Sequence, residues 1–205
     1  MPIQTVLTGD LIRSRSVDQP GEFVEALKRV LHEVDVAYGA RAETFRGDGF
    51  QVVPDRASLA LRCAVALRAG LIAKSPPGQR WDARIAIGVG PVDEDAPGFG
   101  PAYVLSGQGL DGMKRSALQV FSADADFLER IDLATEFAAA IIEAWTAVEA
   151  ETYFTHLIGG DSQKDVAEKL GKARVTVNQA LKRAQAKLMD TYLERSESLL
   201  EARNA

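Results

Sequence analysis

The chain has 205 residues, enough for one domain and a small second one. It is 46% hydrophobic and 26% charged, which excludes a disordered polyelectrolyte. A net charge of −5 excludes a uniformly basic nucleic-acid binder, so any basic surface must be local, and a single cysteine, Cys63, excludes an internal disulfide.

The first residues carry neither a basic segment nor an apolar leader, and no run reaches the length of a membrane span. A cytoplasmic protein without membrane contact is expected. Residues 3–8, with Val6 and Leu7 at their centre, make a short strand that Gly9 and Asp10 end. After Pro20 and Gly21, the residues Phe23, Leu27, Val30, Leu31 and Val34 recur at helical spacing. Residues 42–45 and 50–53 flank Arg46, Gly47, Asp48 and Gly49, a β-hairpin signature. Asp55 is a candidate cap for a helix with Leu59, Cys63, Leu67 and Leu71 as its apolar stripe. Pro76, Pro77 and Gly78 mark a loop, and residues 83–89 read as a strand buried in a sheet. Residues 90–100, rich in Pro, Gly and Asp, read as a mobile loop. A helix over 102–116 and a strand over 117–121 follow.

The order β-α-β-β-α-β up to residue 89 is the ferredoxin-like arrangement. The fold class is therefore α+β: a ferredoxin-like antiparallel sheet with helices on one face, followed by an all-α domain. Residues 1–123 form the first domain, 124–145 an Ala-rich connector helix, and 146–205 the helical end. Thr146 and Glu149 make a capping-box signature for a helix running to about residue 157. Gly159 and Gly160 are a break, and Asp161 or Ser162 caps the next helix. A last helix continues through Leu188, Tyr192, Leu199 and Leu200, which either join two copies of the chain or pack back on their own domain.

Within the helical end, residues 161–183 read as a helix-turn-helix. Ala167 is small where two helices cross, Gly171 ends the first helix, and Val177 and Leu181 seat the second on it. The second helix turns Arg174, Thr176, Asn178, Gln179 and Lys182 outward, donors and acceptors suited to base edges and phosphates. Every charged residue between Lys172 and Lys187 is basic. Lys172, Arg174, Thr176, Asn178, Gln179, Lys182 and Arg183 are thus the candidate contacts to double-stranded DNA. Two helices around a glycine also occur in ordinary bundles. Lys172 stands where such turns bury an aliphatic residue, so it either points outward to a phosphate or belongs to a rebuilt turn.

A second candidate site lies in the sheet domain. Asp10 ends the first strand and Asp48 lies in the hairpin turn. If the first strand lies beside the hairpin, the two carboxylates meet and suit Mg²⁺ carrying a phosphate ligand. Arg13, Arg15 and Arg46 are near in sequence and suit phosphate oxygens. Turn geometry alone also favours Asp48, and Asp10 alone suffices to cap a loop.

The stretches 6–15, 45–51, 84–90 and 100–114, in that order and with the C-terminal helix-turn-helix, resemble the bacterial SatD family; the helix-turn-helix is also similar to region 4 of sigma factors. The first domain further resembles class III nucleotidyl cyclases. That resemblance implies metal-holding roles for Asp10 and Asp48. It also implies a purine-reading role at Thr44, and ribose and transition-state roles near Val104 and Gln108, where this chain lacks the groups a cyclase uses. Without the transition-state arginine that the resemblance would place near Val104 and Gln108, a large catalytic contribution is missing. The leading expectation is a one-component transcriptional regulator, a homodimer, whose degenerate cyclase-like domain binds a nucleotide or cyclic nucleotide, with or without Mg²⁺, or serves as a dimerisation scaffold. The alternatives are a metal-dependent nucleotidyl cyclase or phosphohydrolase with a regulatory helix-turn-helix, and a module that binds protein such as RNA polymerase.

Overall fold

The computed structural model describes residues 3–45, 47–92, 98–114, 116–159 and 162–203. It is α+β, with a five-stranded mixed sheet and, among the described residues, eight α-helices. The strands are β1 (Ile3–Leu11), β2 (Ala40–Phe45), β3 (Gly49–Pro54), β4 (Ala83–Pro91) and β5 (Leu118–Ser122), in the order β2-β3-β1-β4-β5. The central strand β1 runs antiparallel to β3 and β4, whereas β5 runs parallel to β4.

Alternation along the strands decides which helix covers which face. Leu7, Leu11, Ile85, Ile87 and Val89 share a core with Phe23, Leu27, Val30 and Val34 of α1 (Pro20–Tyr38) and with α2 (Ala60–Ala73). Val6 and Val53 face the other way, onto Ala102 of α3 (Pro101–Gly112). The expectation of an antiparallel sheet with helices on one face is therefore corrected: α3 covers the second face and β5 adds a parallel edge. Gly88 makes the approach of α3 workable, because a Cβ there would lie 2.1 Å from the Ala102 carbonyl oxygen. The near-continuous apolar run of β4 follows from burial on both faces.

Asp55 caps no helix. A 3-10 turn at Ala57–Leu59 precedes α2, neither has a side-chain cap, and Asp55 instead faces Arg41 at 3.9 Å. Helix α2 is buried almost all round rather than along one stripe, since α1, the sheet and α5 (Ala147–Gly159) all pack against it. Its Arg68, fully buried, forks onto Asp82 with Nε–Oδ1 2.9 Å and Nη2–Oδ2 2.8 Å.

Helix α4 (Ala125–Glu143), capped by Asp124, packs on β5 and on α8 (Ala186–Glu201) rather than spanning a gap. Arg203, past the end of α8, bonds Asp124 and lies over the Phe127 ring. One continuous apolar cluster runs from Leu7 in the sheet to Leu200 in α8. Among the described residues no helix is long and apolar enough to cross a membrane.

Candidate nucleic-acid interface and the sheet-end carboxylates

The interface candidate rests on a three-helix unit, α5, α6 (Gln163–Leu170) and α7 (Arg174–Arg183). Helix α5 begins at Thr146, whose amide donates to Glu149 Oε2 at 3.1 Å, one half of the capping box. The other oxygen of Glu149 accepts from Arg183 Nε at 2.6 Å, which ties the start of α5 to the end of α7. Burial raises the Glu149 carboxyl's pKa, but Thr146 and Arg183 outweigh it and hold the group below its ordinary value.

Helix α6 is capped by Ser162, whose oxygen accepts from the Asp165 amide. Gly160 and Asp161 lie outside the described residues. At its other end Gly171 adopts φ 60°, and the Lys172 amide donates to the Ala167 carbonyl at 3.0 Å, a Schellman closure. The apolar contact usual there is replaced by an ion pair: Lys172 Nζ reaches Glu151 Oε2 of α5 at 2.5 Å. Val166 and Ala167 of α6 and Val177, Ala180 and Leu181 of α7 are buried, as the spacing predicts.

The opposite face of α7 is open. Arg174, Thr176, Gln179 and Lys182 are exposed and hold no side-chain hydrogen bond or ion pair among the described residues. Asn178 donates to Gln163 at 3.1 Å, a pairing on the same outer surface. Two candidates are less free. Lys172 is 29% exposed and bound to Glu151, and Arg183 is bound to Glu149. Sequence reasoning missed Val175, 69% exposed on the same helix and suited to a thymine methyl group. It also missed a groove of about 770 Å³ beside α7, lined in part by Gln163, Gln185, Lys187 and Leu188. Exposed apolar residues on an otherwise polar helix were the available signal.

The last helix, expected to run on unbroken, divides at Gln185, which takes φ 54°. The freed Ala184 carbonyl accepts from the Trp145 indole at 3.0 Å, so the break is satisfied from outside. Beyond it, Tyr192 and Leu200 pack back on their own chain, and the Tyr192 hydroxyl meets Thr135 of α4 at 2.9 Å. Leu188 stays exposed.

At the sheet end, Asp10 pairs in register with Gly49, beside Asp48, and the Leu11 amide donates to the Asp48 carbonyl at 3.1 Å. The two carboxylates therefore do come to one end of the sheet. Each already has a partner. Asp10 is the register partner of Arg84, whose fork donates Nε to Oδ1 at 2.9 Å and Nη2 to Oδ2 at 2.5 Å. This bonding raises the pKa of Arg84. Asp48 Oδ2 accepts from Ser14 Oγ at 2.7 Å. Among the described residues no group of three or more His, Cys, Asp or Glu side chains is placed to share a metal ion. A donor set in which both oxygens of one carboxylate serve a guanidinium does not fit a two-aspartate Mg²⁺ centre.

Of the other candidates, Arg13 lines a cleft together with Asp10, and the rest of those described lie elsewhere. Arg13 adopts φ 55° after β1 and is exposed; Arg15 is exposed in the 3-10 turn that follows; Arg46 lies outside the described residues. Thr44 sits on the outer strand β2, in a shallow depression with Lys28, His32 and Asp35, away from Asp10. Val104 and Gln108 are exposed on the outer side of α3. No protein-family model matches the chain, and no curated protein is significantly similar to it.

Proposed function

We propose that the chain is a DNA-binding transcriptional regulator that lays α7 in the major groove of double-stranded DNA. The observation that carries this reading is the outer face of α7. A helix seated by Val177 and Leu181 presents Arg174, Thr176, Gln179 and Lys182 without partners among the described residues. Long polar side chains left unpaired on a well-packed helix are matched by base edges and phosphates. Helix α7 has no acidic residue in its first turn and no side-chain cap, so its first amides also favour a phosphate.

In this reading the sheet domain is ferredoxin-like, a degenerate relative of the cyclase fold as the resemblance to class III nucleotidyl cyclases implies. The β2-β3-β1-β4 order, with β1 antiparallel to both neighbours, supports that assignment. Its role is to sense a ligand or to bring two copies together in the cytoplasm, not to cyclise a nucleotide. The Asp10–Arg84 pairing and the exposed Val104 and Gln108 argue against the enzyme reading. A single helix-turn-helix offers few base contacts, so a homodimer presenting two of them follows. Binding of the full-length chain to labelled genomic fragments tests this function. Retarded fragments that compete away with salt are expected; no retarded fragment at low salt would overturn it.

A further inference from the structure

Arg68 is fully buried, with a side chain that ranks in size with the core aromatics, and it is only partly satisfied. Its Nε and Nη2 serve Asp82, whereas Nη1 is buried with no hydrogen-bond partner. A guanidinium nitrogen in that state calls for an acceptor. Arg68 lines a cleft of about 620 Å³ at the end of β1 and β4. Arg13, Arg80, Arg84 and Lys114 line the same cleft, against Asp10, Asp82 and Glu143, a surplus of two positive charges. The carboxylates are largely spent. Asp10 serves Arg84, and Asp82 accepts from Arg68, from Arg80 Nη2 at 3.1 Å and from the Ala83 amide. Arg13 and Lys114, both exposed at the cleft, hold no side-chain partner among the described residues.

The geometry points to an anion site for a phosphoryl group, held by Arg68 Nη1, Arg80, Arg13 and Lys114. Planar guanidinium forks and a double positive surplus match a phosphate dianion, and a site already rich in fixed cations has no need of Mg²⁺. The site also touches the helical end. Arg80 donates Nη1 to the Trp145 carbonyl at 2.7 Å and Nη2 to the Ile142 carbonyl at 3.0 Å. Trp145 in turn donates its indole to Ala184, at the end of α7. A phosphoryl group that draws on Arg80 competes with those two carbonyls. It therefore biases the joint between α4, α5 and α7. The site and its effect on the joint stand on the cleft alone; only a further effect on DNA binding through α7 would rest on the function proposed above.

The test uses the full chain. Calorimetry at constant ionic strength with inorganic phosphate, pyrophosphate and ATP asks for saturable binding. Trp145 fluorescence in a Trp81→Phe variant reports the joint, and that substitution removes an indole nitrogen that has no partner. Saturable binding by at least one of the three is expected, weakened about fivefold or more by Lys114→Ala or Arg13→Ala, exposed positions where folding is not at stake. Binding of phosphate alone assigns a free anion; binding of ATP without phosphate assigns a nucleotide. Arg80→Lys keeps the charge and loses the fork, so the anion should bind more weakly and, compared at saturation, the Trp145 response should fall. No saturable binding of any of the three, or binding indifferent to Lys114 and Arg13, would overturn the site. An unchanged Trp145 signal at saturation would overturn the coupling. None of these readouts involves DNA, so a failure here and a failure of DNA binding are separate results.

Discussion

Helices α7 and α8 are neighbours, both amphipathic, and they differ in how much of their polar surface is tied to the rest of the chain. On α8 several polar groups are committed to the rest of the chain, although Lys187, Glu194 and Arg195 hold no side-chain partner among the described residues. Glu197 pairs with Arg62 and Glu201 with Arg56, Asp190 accepts from Tyr153, and Tyr192 meets Thr135. On α7 the outward side chains Arg174, Thr176, Gln179 and Lys182 are committed to nothing among the described residues. Any surface helix leaves part of its polar face to solvent, so the difference lies in the type and clustering of the free groups. The contrast supports the proposal that α7 rather than α8 is the helix that meets DNA.

The sharpest way to break this comparison is to cut the buried face of α8. Leu193 is fully buried, so Leu193→Ala should cost about 2–5 kcal/mol and lower the melting temperature of the whole chain, because the core is continuous. Two separate transitions in calorimetry would contradict the shared core. A smaller effect is expected at the turn. Gly171→Ala meets open space, yet φ 60° makes it strained, at a cost of about 1–2 kcal/mol. A change in stability below the error of a denaturant titration would show that the turn readily moves.

Smaller still is the tie between α5 and α7. Glu149 has a lowered carboxyl pKa, so its contribution is fully present above the ordinary value of 4.5 and is lost as pH falls through the lowered folded value. Glu149→Gln should cost about 1 kcal/mol near neutrality, and the gap to the unaltered chain should close in acid. A gap that persists at low pH would place its origin in packing instead. Assembly sharpens the comparison from another side. If α8 packs on its own chain, light scattering of a Leu188→Ser variant should give the same mass as the unaltered chain. Dissociation of a dimer by that change would make α8 an interface after all.

Much of this was legible in the sequence, for identifiable reasons. The helix-turn-helix follows from local signals: Gly171 for the turn, and Val177 and Leu181 at helical spacing. The hairpin and the neighbouring placement of Asp10 and Asp48 follow from strand order. What was hidden depends on pairings remote in sequence. The Asp10–Arg84 fork needs the β1–β4 register, and the Lys172–Glu151 pair needs the packing of α5 on the turn. Other misses had a signal. Residues 60–73 are apolar nearly all round, which marks a fully buried helix, and an arginine deep in such a run asks for a buried partner. The break at Gln185 carried no glycine or proline to announce it; only the indole of Trp145 accounts for it.

The central claim is that α7 meets DNA through side chains the fold does not use. The most direct test is the salt dependence of DNA affinity for the unaltered chain and for an Arg174→Ala/Lys182→Ala variant. Both positions are exposed and unpaired among the described residues, so stability should change by less than about 0.5 kcal/mol. The account predicts weaker binding and a log–log salt slope reduced by about one for each phosphate that is no longer neutralised. A variant of equal stability that binds DNA with the same affinity and the same slope would contradict it.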